Sequence, residues 1–375
     1  MSERKKDPHD EYYTRYDDIQ TELNHYESQL RGKTILCNCD DPYESNFCKF
    51  FLRNFNYLGL KRLICTSYES SPIIGSDMPL FDFYDQPVTA EHGYVMDITE
   101  VPMSNGRGVS DVDIDNLLHS KSISIKRLEG DGDFRSDECI KYLKQADIVV
   151  TNPPFSLLDE YFPQLLAYEK KFLILSSPNV VHYKEVFPRI MSNEIWAGYK
   201  PWNDAMLFHV SENLAKWLVE NKKKGSAWVI QNGEILGRTQ AVWFTNLDVK
   251  KRHEKLFLFK QYDPEVYPTY LNYDAIDVVA PTQIPCDYYG KMGVPDSFLA
   301  VYNPDQFEIL GLAESDMGKA LGISANLTKE QRDALFREYK SFRAGNPILR
   351  KKDGQLHKPF ARMIIRRKGG PSDEN

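Results

Sequence analysis

The chain has no uninterrupted apolar run of the about 18 residues that a membrane-spanning helix needs, and no basic-then-apolar leader at its start. Both absences argue against a membrane protein and point to the cytoplasm. Cysteine is scarce. Cys37 and Cys39 stand one residue apart, and neither Cys48, Cys65, Cys139, Cys286 nor the scattered histidines supply a second pair at finger-like spacing. No zinc site or other metal centre is expected, and reduced thiols suit the same compartment. No internal repeat or low-complexity tract stands out. Positive charge is also in deficit: 47 Lys and Arg against 54 Asp and Glu leave a net charge of −7, which taken alone speaks against a phosphate-rich partner.

What is present is an ordinary globular balance, 42% hydrophobic and 27% charged, over 375 residues. That length suffices for two or three domains of about 150 residues each. After a polar start, Ile19, Leu23, Tyr26 and Leu30 form a helical stripe that ends at Gly32, so residues 1–31 read as an arm and a helix. Lys33 to Cys37 reads as a buried strand, Phe47, Phe50, Phe51 and Phe55 as the apolar face of a helix, and Leu60 to Thr66 as a second strand. Strand, helix, strand opens an α/β, doubly wound parallel sheet. The rhythm lapses over about 70–120, an expected insertion with short β-like pieces such as Tyr94 to Ile98. It resumes with Ser122 to Leu128, a helix from Ser136 to about Gln145, the strand 147–151, a helix from Leu157 to about Tyr168 and the strand Phe172 to Leu175. Strand-like pieces follow around Ile195 to Tyr199, Met206 to His209, Trp228 to Gln231 and Val242 to Thr245. The sheet domain is therefore placed at 32–248, and a second, mixed α+β domain at 249–375, where Tyr and Pro become frequent.

The most informative stretch is Thr151-Asn152-Pro153-Pro154-Phe155, directly after the apolar run Asp147-Ile148-Val149-Val150. Ligands of open α/β sheets collect at the carboxyl ends of such strands. Two prolines fix φ and hold the preceding residue extended, so the Asn152 side chain and the Pro153 carbonyl can serve as a rigid pair of acceptors for an amine. Phe155 adds a flat apolar face. Amide, carbonyl and ring together suit an aromatic amine such as an adenine or cytosine base. Asn and Pro are also ordinary turn formers, so the stretch taken alone is equally readable as a plain strand-to-helix turn.

Two further loops carry polar residues at proposed strand ends. Asn38-Cys39-Asp40-Asp41-Pro42 places paired acids where a ligand's ammonium group can be held, although either acid alone reads more simply as a helix cap. In Asp131-Gly132-Asp133-Phe134 the glycine permits close backbone approach, Asp133 can accept from an aminopurine amine, and Phe134 can pack on its ring. Basic residues cluster at Lys222-Lys223-Lys224, at Lys250-Lys251-Arg252, and from Arg350, Lys351 and Lys352 to Arg366, Arg367 and Lys368. Apolar residues interleave the last run around the turn Lys352-Asp353-Gly354, the pattern of a folded basic hairpin able to lie along phosphates.

Asn152-Pro153-Pro154-Phe155 resembles the (N/D)PP(Y/F) signature of methyltransferases acting on exocyclic amines. Taken with Asp10-Glu11-Tyr12-Tyr13-Thr14 and Tyr16, Asn38-Cys39-Asp40-Asp41-Pro42 and Gly130-Asp131-Gly132-Asp133-Phe134, the chain resembles the EcoRI-type adenine-specific DNA methyltransferases. The likeness runs from about Lys6 to Tyr199 and resumes at Tyr289 to Pro295 and Tyr302 to Gly311. It implies a Rossmann-like methyltransferase sheet with a C-terminal target-recognition domain. It further implies transfer of a methyl group from S-adenosylmethionine to the N6 amine of an adenine flipped out of double-stranded DNA, by a monomer with no obligate protein partner. Carried over, Tyr12, Tyr13 and Thr14 cover the methionine end of the cofactor, and Asp40, with Asp41 beside it, holds its ammonium group. Asp133 and Phe134 meet its adenine, and Asn152, Pro153 and Phe155 hold the target base. The DNA side falls to Lys250, Lys251, Arg252, Arg350, Lys351, Lys352, Arg366 and Arg367. The first loop lacks the glycine-rich signature of methyltransferases at large, a departure that the EcoRI type shares, and Glu69 is the nearest candidate for a ribose-binding acid. Rival readings are a methyltransferase for cytosine, an RNA base or protein glutamine, and a relative that binds DNA without turnover.

Overall fold

The structure is a computed structural model, and it describes residues 12–42, 45–68, 92–102, 110, 112–114, 124–323, 327–340, 342–351 and 353–370. Glu69, Lys352, the arm before Tyr12 and most of the expected insertion lie outside the described residues. Two compact units are formed, one from Met1–Val180 with Ala197–Asp248, the other from Val181–Trp196 with Val249–Asn375.

The first unit begins with a short strand β1 (Tyr12–Thr14) and two helices, α1 (Tyr16–Leu23) and α2 (Glu27–Leu30). Ile19, Leu23, Tyr26 and Leu30 are all buried, as the stripe requires, although the helix breaks between Asn24 and Tyr26. Next come β2 (Thr34–Cys37), α3 (Asn46–Leu58) and β3 (Arg62–Ser67). All four residues of β2 are buried, as expected of a strand covered on both faces. The α3 helix starts at Ser45, whose side chain accepts from the Phe47 amide at 3.1 Å, and stops at Gly59 in the left-handed region at φ 60°. Between these caps it buries Phe47, Phe50, Phe51 and Phe55.

Then follow β4 (Tyr94–Ile98), β5 (Ser124–Arg127), α4 (Asp137–Gln145), β6 (Ile148–Thr151), α5 (Leu158–Ala167) and β7 (Lys171–Ser176). The unit is completed by β8 (Ala205–Val210), α6 (Glu212–Asn221), β9 (Trp228–Gln231), β10 (Glu234–Gln240) and β11 (Val242–Thr245). The main sheet has the order β5-β4-β3-β2-β6-β7-β11, with a short run ending at Ala197 outermost. Its centre, β3-β2-β6-β7, is parallel. Its flanks are not: β4 is antiparallel to β3, β5 to β4, and β11 to β7. The sheet is thus mixed, and Tyr94–Ile98, read from sequence as part of an insertion, is one of its strands. Two reversals leave β5 pointing the same way as β3, so the loop after β5 emerges at the same edge as the loops after β2 and β6. The chain leaves β2 toward β3 and later returns on the other side of β2 as β6, so the loops after β2 and β6 part company there and open a crevice.

A second, antiparallel sheet has the order β1-β8-β10-β9, with Tyr12 opposite Val210 and Thr14 opposite Phe208. Gly237 on β10 makes room for the arm, because a Cβ there would meet Tyr12 Cε1 at 2.6 Å.

The second unit is built on β12 (Ile276–Asp277), β13 (Met292–Val294), β14 (Phe307–Leu312) and β17 (Met363–Arg367), in the order β12-β13-β17-β14. Between them in sequence, β15 (Leu349–Arg350) and β16 (Leu356–His357) pair as the expected hairpin, with Gly354 at φ 85° in its turn. Buried Arg362 donates to Asp277 at 2.9 Å, and Tyr270 donates to the same oxygen at 2.5 Å.

The loop after β5 depends on a three-way backbone approach. Gly132 has φ 83°, and a Cβ on it would sit 2.0 Å from the Ser67 carbonyl oxygen; one on Gly93 would sit 2.6 Å from Gly132 Cα. Gly132→Ala should therefore cost roughly 1–3 kcal/mol of stability, read as a lower Tm in thermal melts; an unchanged Tm would contradict this packing.

Candidate active site

The loops after β2, β5 and β6, with the β1 arm, enclose two adjoining cavities that share Cys39 and Pro154. The first, with roughly 500 Å³ of open space, is lined by Tyr12, Tyr13, Thr14, Asp40, Asp41 and Asn152, and also by Ser45 and Asn46. The second, of roughly 480 Å³, takes in Asn38, Tyr68, Gly132, Asp133, Phe134 and Leu157.

Asp40 is 6% exposed and joins two of the loops. It accepts from Ser45 Oγ at 2.7 Å, from the Thr151 hydroxyl at the end of β6, and from the backbone N–H of Asn152. Burial nonetheless dominates and pushes its carboxyl up to about 8, against the three hydrogen bonds that favour the anion. An incoming cation is the missing partner that would let this acid ionise.

Asn152 is fixed by its own amide. Its Nδ2 donates to the Tyr12 carbonyl at 2.7 Å, which commits the nitrogen and leaves Oδ1 buried with no partner among the described residues. A buried acceptor without a donor is costly unless a ligand supplies one. The arm is held a second time, by Asn46 Nδ2 donating to the Thr14 carbonyl at 2.8 Å.

At the second cavity, Asn38 Oδ1 accepts from Tyr161 at 2.5 Å while Asn38 Nδ2 is buried and unpartnered. Asp133 is gripped at two points by Arg135, at 2.9 and 2.6 Å, and Arg135 also reaches Glu160 at 2.8 Å. The Asp133 carboxylate is thus already oriented. Phe134 stands edge-on to Tyr161, ring centres 5.0 Å apart.

The two cavities thus gather Tyr12, Tyr13, Thr14, Asp40, Asp41, Asn152, Asp133 and Phe134. Pro153 is buried and Phe155 half-buried, and neither lines these cavities. Ser45, Asn46, Thr151, Tyr161 and Arg135 escaped sequence reading; a cap serine at the mouth of α3 was the one signal available for any of them. The basic residues belong to the second unit. Arg252 stacks 4.0 Å above Trp196 and donates to Asn193 at 3.0 Å. Arg350 and Lys351 are exposed on the hairpin. Arg366 pairs with Glu308 at 2.7 Å, while Arg367 donates to the Cys286 carbonyl and lies 4.5 Å over Tyr289. Among the described residues no cluster of three or more His, Cys, Asp or Glu could hold a metal, and no helix is long and apolar enough to cross a membrane.

The family model described as "Adenine-specific methyltransferase EcoRI" matches residues 1–368. The chain belongs to this family. It is 40% identical over 324 residues to Type II methyltransferase M.EcoRI of Escherichia coli, covering 84% of this chain and 91% of that protein. Type II methyltransferase M.MgeORF184P of Mycoplasma genitalium is 36% identical over 82% of this chain and 84% of its own length. For M.MpnI of Mycoplasma pneumoniae the identity is 33%, over 82% of this chain and 83% of its own. No solved structure matches. Membership of the EcoRI-type adenine-specific family sets aside cytosine and protein glutamine as substrates.

The Asp40 carboxyl sets a pH dependence. Its folded-state pKa, about 8, lies above the about 3.9 of an unfolded Asp, so its stabilising contribution is full below about pH 4 and is lost as pH rises toward and through 8. Melts of the unliganded protein from pH 5 to 9 should show Tm falling more steeply in wild type than in Asp40→Asn; parallel profiles would rule out this assignment.

Proposed function

We propose that the chain transfers a methyl group from S-adenosylmethionine to the N6 amine of an adenine swung out of duplex DNA. As a member of its family it is a DNA adenine methyltransferase; the cofactor, the base-flipping step and the residue roles are our reading. The sheet is read as a Rossmann-like methyltransferase core, and 249–375 as a target-recognition region working on double-stranded DNA, in a monomeric cytoplasmic enzyme.

The residues present suit the cofactor. The acids Asp40 and Asp41 beside the first cavity suit an ammonium group, with Tyr12, Tyr13 and Thr14 as cover, and Asp133 with Phe134 suits an adenine ring. Buried Asn38 Nδ2 is an unspent donor in the same crevice. Bound there, S-adenosylmethionine supplies an electrophilic methyl group.

The observation that carries the proposal is the unpartnered Oδ1 of Asn152, held at the end of β6 by the Nδ2 contact with Tyr12. In the adenine complex this oxygen and the Pro153 carbonyl accept the two N–H bonds of the amine. Those bonds draw the nitrogen lone pair out of ring conjugation and turn it toward the methyl donor. Phe155 stacks on the base, which costs a few kcal/mol to remove from the duplex. Positioning and preset acceptors lower the barrier, and no side-chain base is required.

Asn152→Ala should lower kcat at least about a hundredfold, the scale for removing one preset catalytic hydrogen bond, while equilibrium binding of labelled S-adenosylmethionine stays within severalfold of wild type. Turnover retained by this variant, measured as label in duplex DNA, would overturn the role of Asn152.

A further inference from the structure

The second unit carries an aromatic pair for which the fold has no use. From Lys255 to Lys260 the chain is an extended strap pinned at both ends. The Leu256 amide donates to Gln306 Oε1 at 2.7 Å and Gln306 Nε2 donates back to the Leu256 carbonyl at 2.8 Å, while the Cys286 amide donates to the Lys260 carbonyl at 2.7 Å. Between the pins, Leu256 and Leu258 are partly buried, and Phe257 and Phe259 are 82% and 59% exposed. The alternation is that of extended backbone. The two rings are nearly parallel, at 24°, with centres 6.4 Å apart.

Two exposed phenylalanines on a braced segment cost solvation without improving the core, and such surface marks an interaction site. The charge around them names the partner. Within 250–260 there are five cations, Lys250, Lys251, Arg252, Lys255 and Lys260, against the single acid Glu254, in a chain whose net charge is −7. The Lys260 ammonium lies 5.3 Å over the Phe259 ring, so charge and aromatic face are presented together. Cations grip phosphates and flat rings stack on unstacked bases, a combination that serves DNA and not an apolar protein surface.

We propose that Phe257 and Phe259 form a wedge that enters duplex DNA and holds open the base step vacated by the target adenine. This rests on the proposed DNA adenine methylation. The pair takes no part in the methyl transfer itself; it positions the DNA by occupying the gap.

The test first maps the methylated site by sequencing bacteriophage DNA treated with wild type, and then uses a short duplex of that sequence with 2-aminopurine replacing the methylated adenine. Wild type should raise the 2-aminopurine fluorescence. Phe257→Ala/Phe259→Ala should lower the flipped population about tenfold or more, the scale of a lost base–aromatic stack, with cofactor binding unchanged. Phe257→Trp/Phe259→Trp should retain flipping. On a duplex with the natural adenine opposite a mismatched base, already unstacked, the Ala variant should recover turnover to within about threefold of wild type. Val279→Ser, at a site 70% exposed but without neighbouring cations, should behave as wild type. The wedge is overturned if the Ala variant flips normally, if the mismatch fails to rescue it, or if light scattering shows a wild-type dimer that the variant splits. Absence of label in bacteriophage DNA with wild type would instead overturn the underlying methyltransferase reading, and the wedge with it.

Discussion

The hydrogen bonds that converge on Asp40 hold the site together. Asp40 belongs to the loop after β2, yet two of its three donors, the Thr151 hydroxyl and the Asn152 amide, belong to the end of β6. These loops diverge at the point where the sheet reverses its winding, and left alone they would be free to separate. A single buried carboxyl ties them, at the expense of a raised pKa, and the crevice between them keeps one acid that prefers its proton until a cation arrives.

Other contacts follow from that tie. With the end of β6 fixed, Asn152 reaches the arm through Tyr12, and the arm is kept flat on its own sheet because Gly237 leaves space beneath the Tyr12 ring. The loop after β5 is drawn in by backbone packing among Ser67, Gly93 and Gly132, and Arg135 then sets the Asp133 carboxylate. The polar groups left over, Asn152 Oδ1 and Asn38 Nδ2, are one acceptor and one donor with nothing in the chain to meet them. That remainder is what an amine substrate and a polar cofactor would satisfy.

Much of the central sheet was legible because buried parallel strands and phenylalanine-faced helices write strong local patterns, and the Asn152 turn stood at a strand end as read. Strand direction is not written locally. Tyr94–Ile98 and Ser124–Arg127 carry ordinary strand residues, and only pairing makes them antiparallel flanks. The three residues Tyr12–Thr14 are too few to show alternation, and their partner strand begins at Ala205. Val181–Trp196 groups with the second unit through contacts that no nearby residue announces. Within the site, residue types suggested acids and an amide, but which oxygen is spent and which is spare is a property of the assembled loops. Likewise the basic carboxyl-terminal run reads as uniform charge, whereas Arg366 is paired with Glu308 and Arg367 packs on Tyr289.

The central claim, that the crevice tied by Asp40 receives the ammonium end of S-adenosylmethionine, is tested most directly by calorimetry of cofactor binding at pH 7 in buffers of different ionisation enthalpy. Asp40, near a pKa of about 8 when unliganded, should give up its proton to face the cation. The account predicts release of close to one proton by wild type and almost none by Asp40→Asn. Binding by wild type with no dependence on the buffer would contradict it.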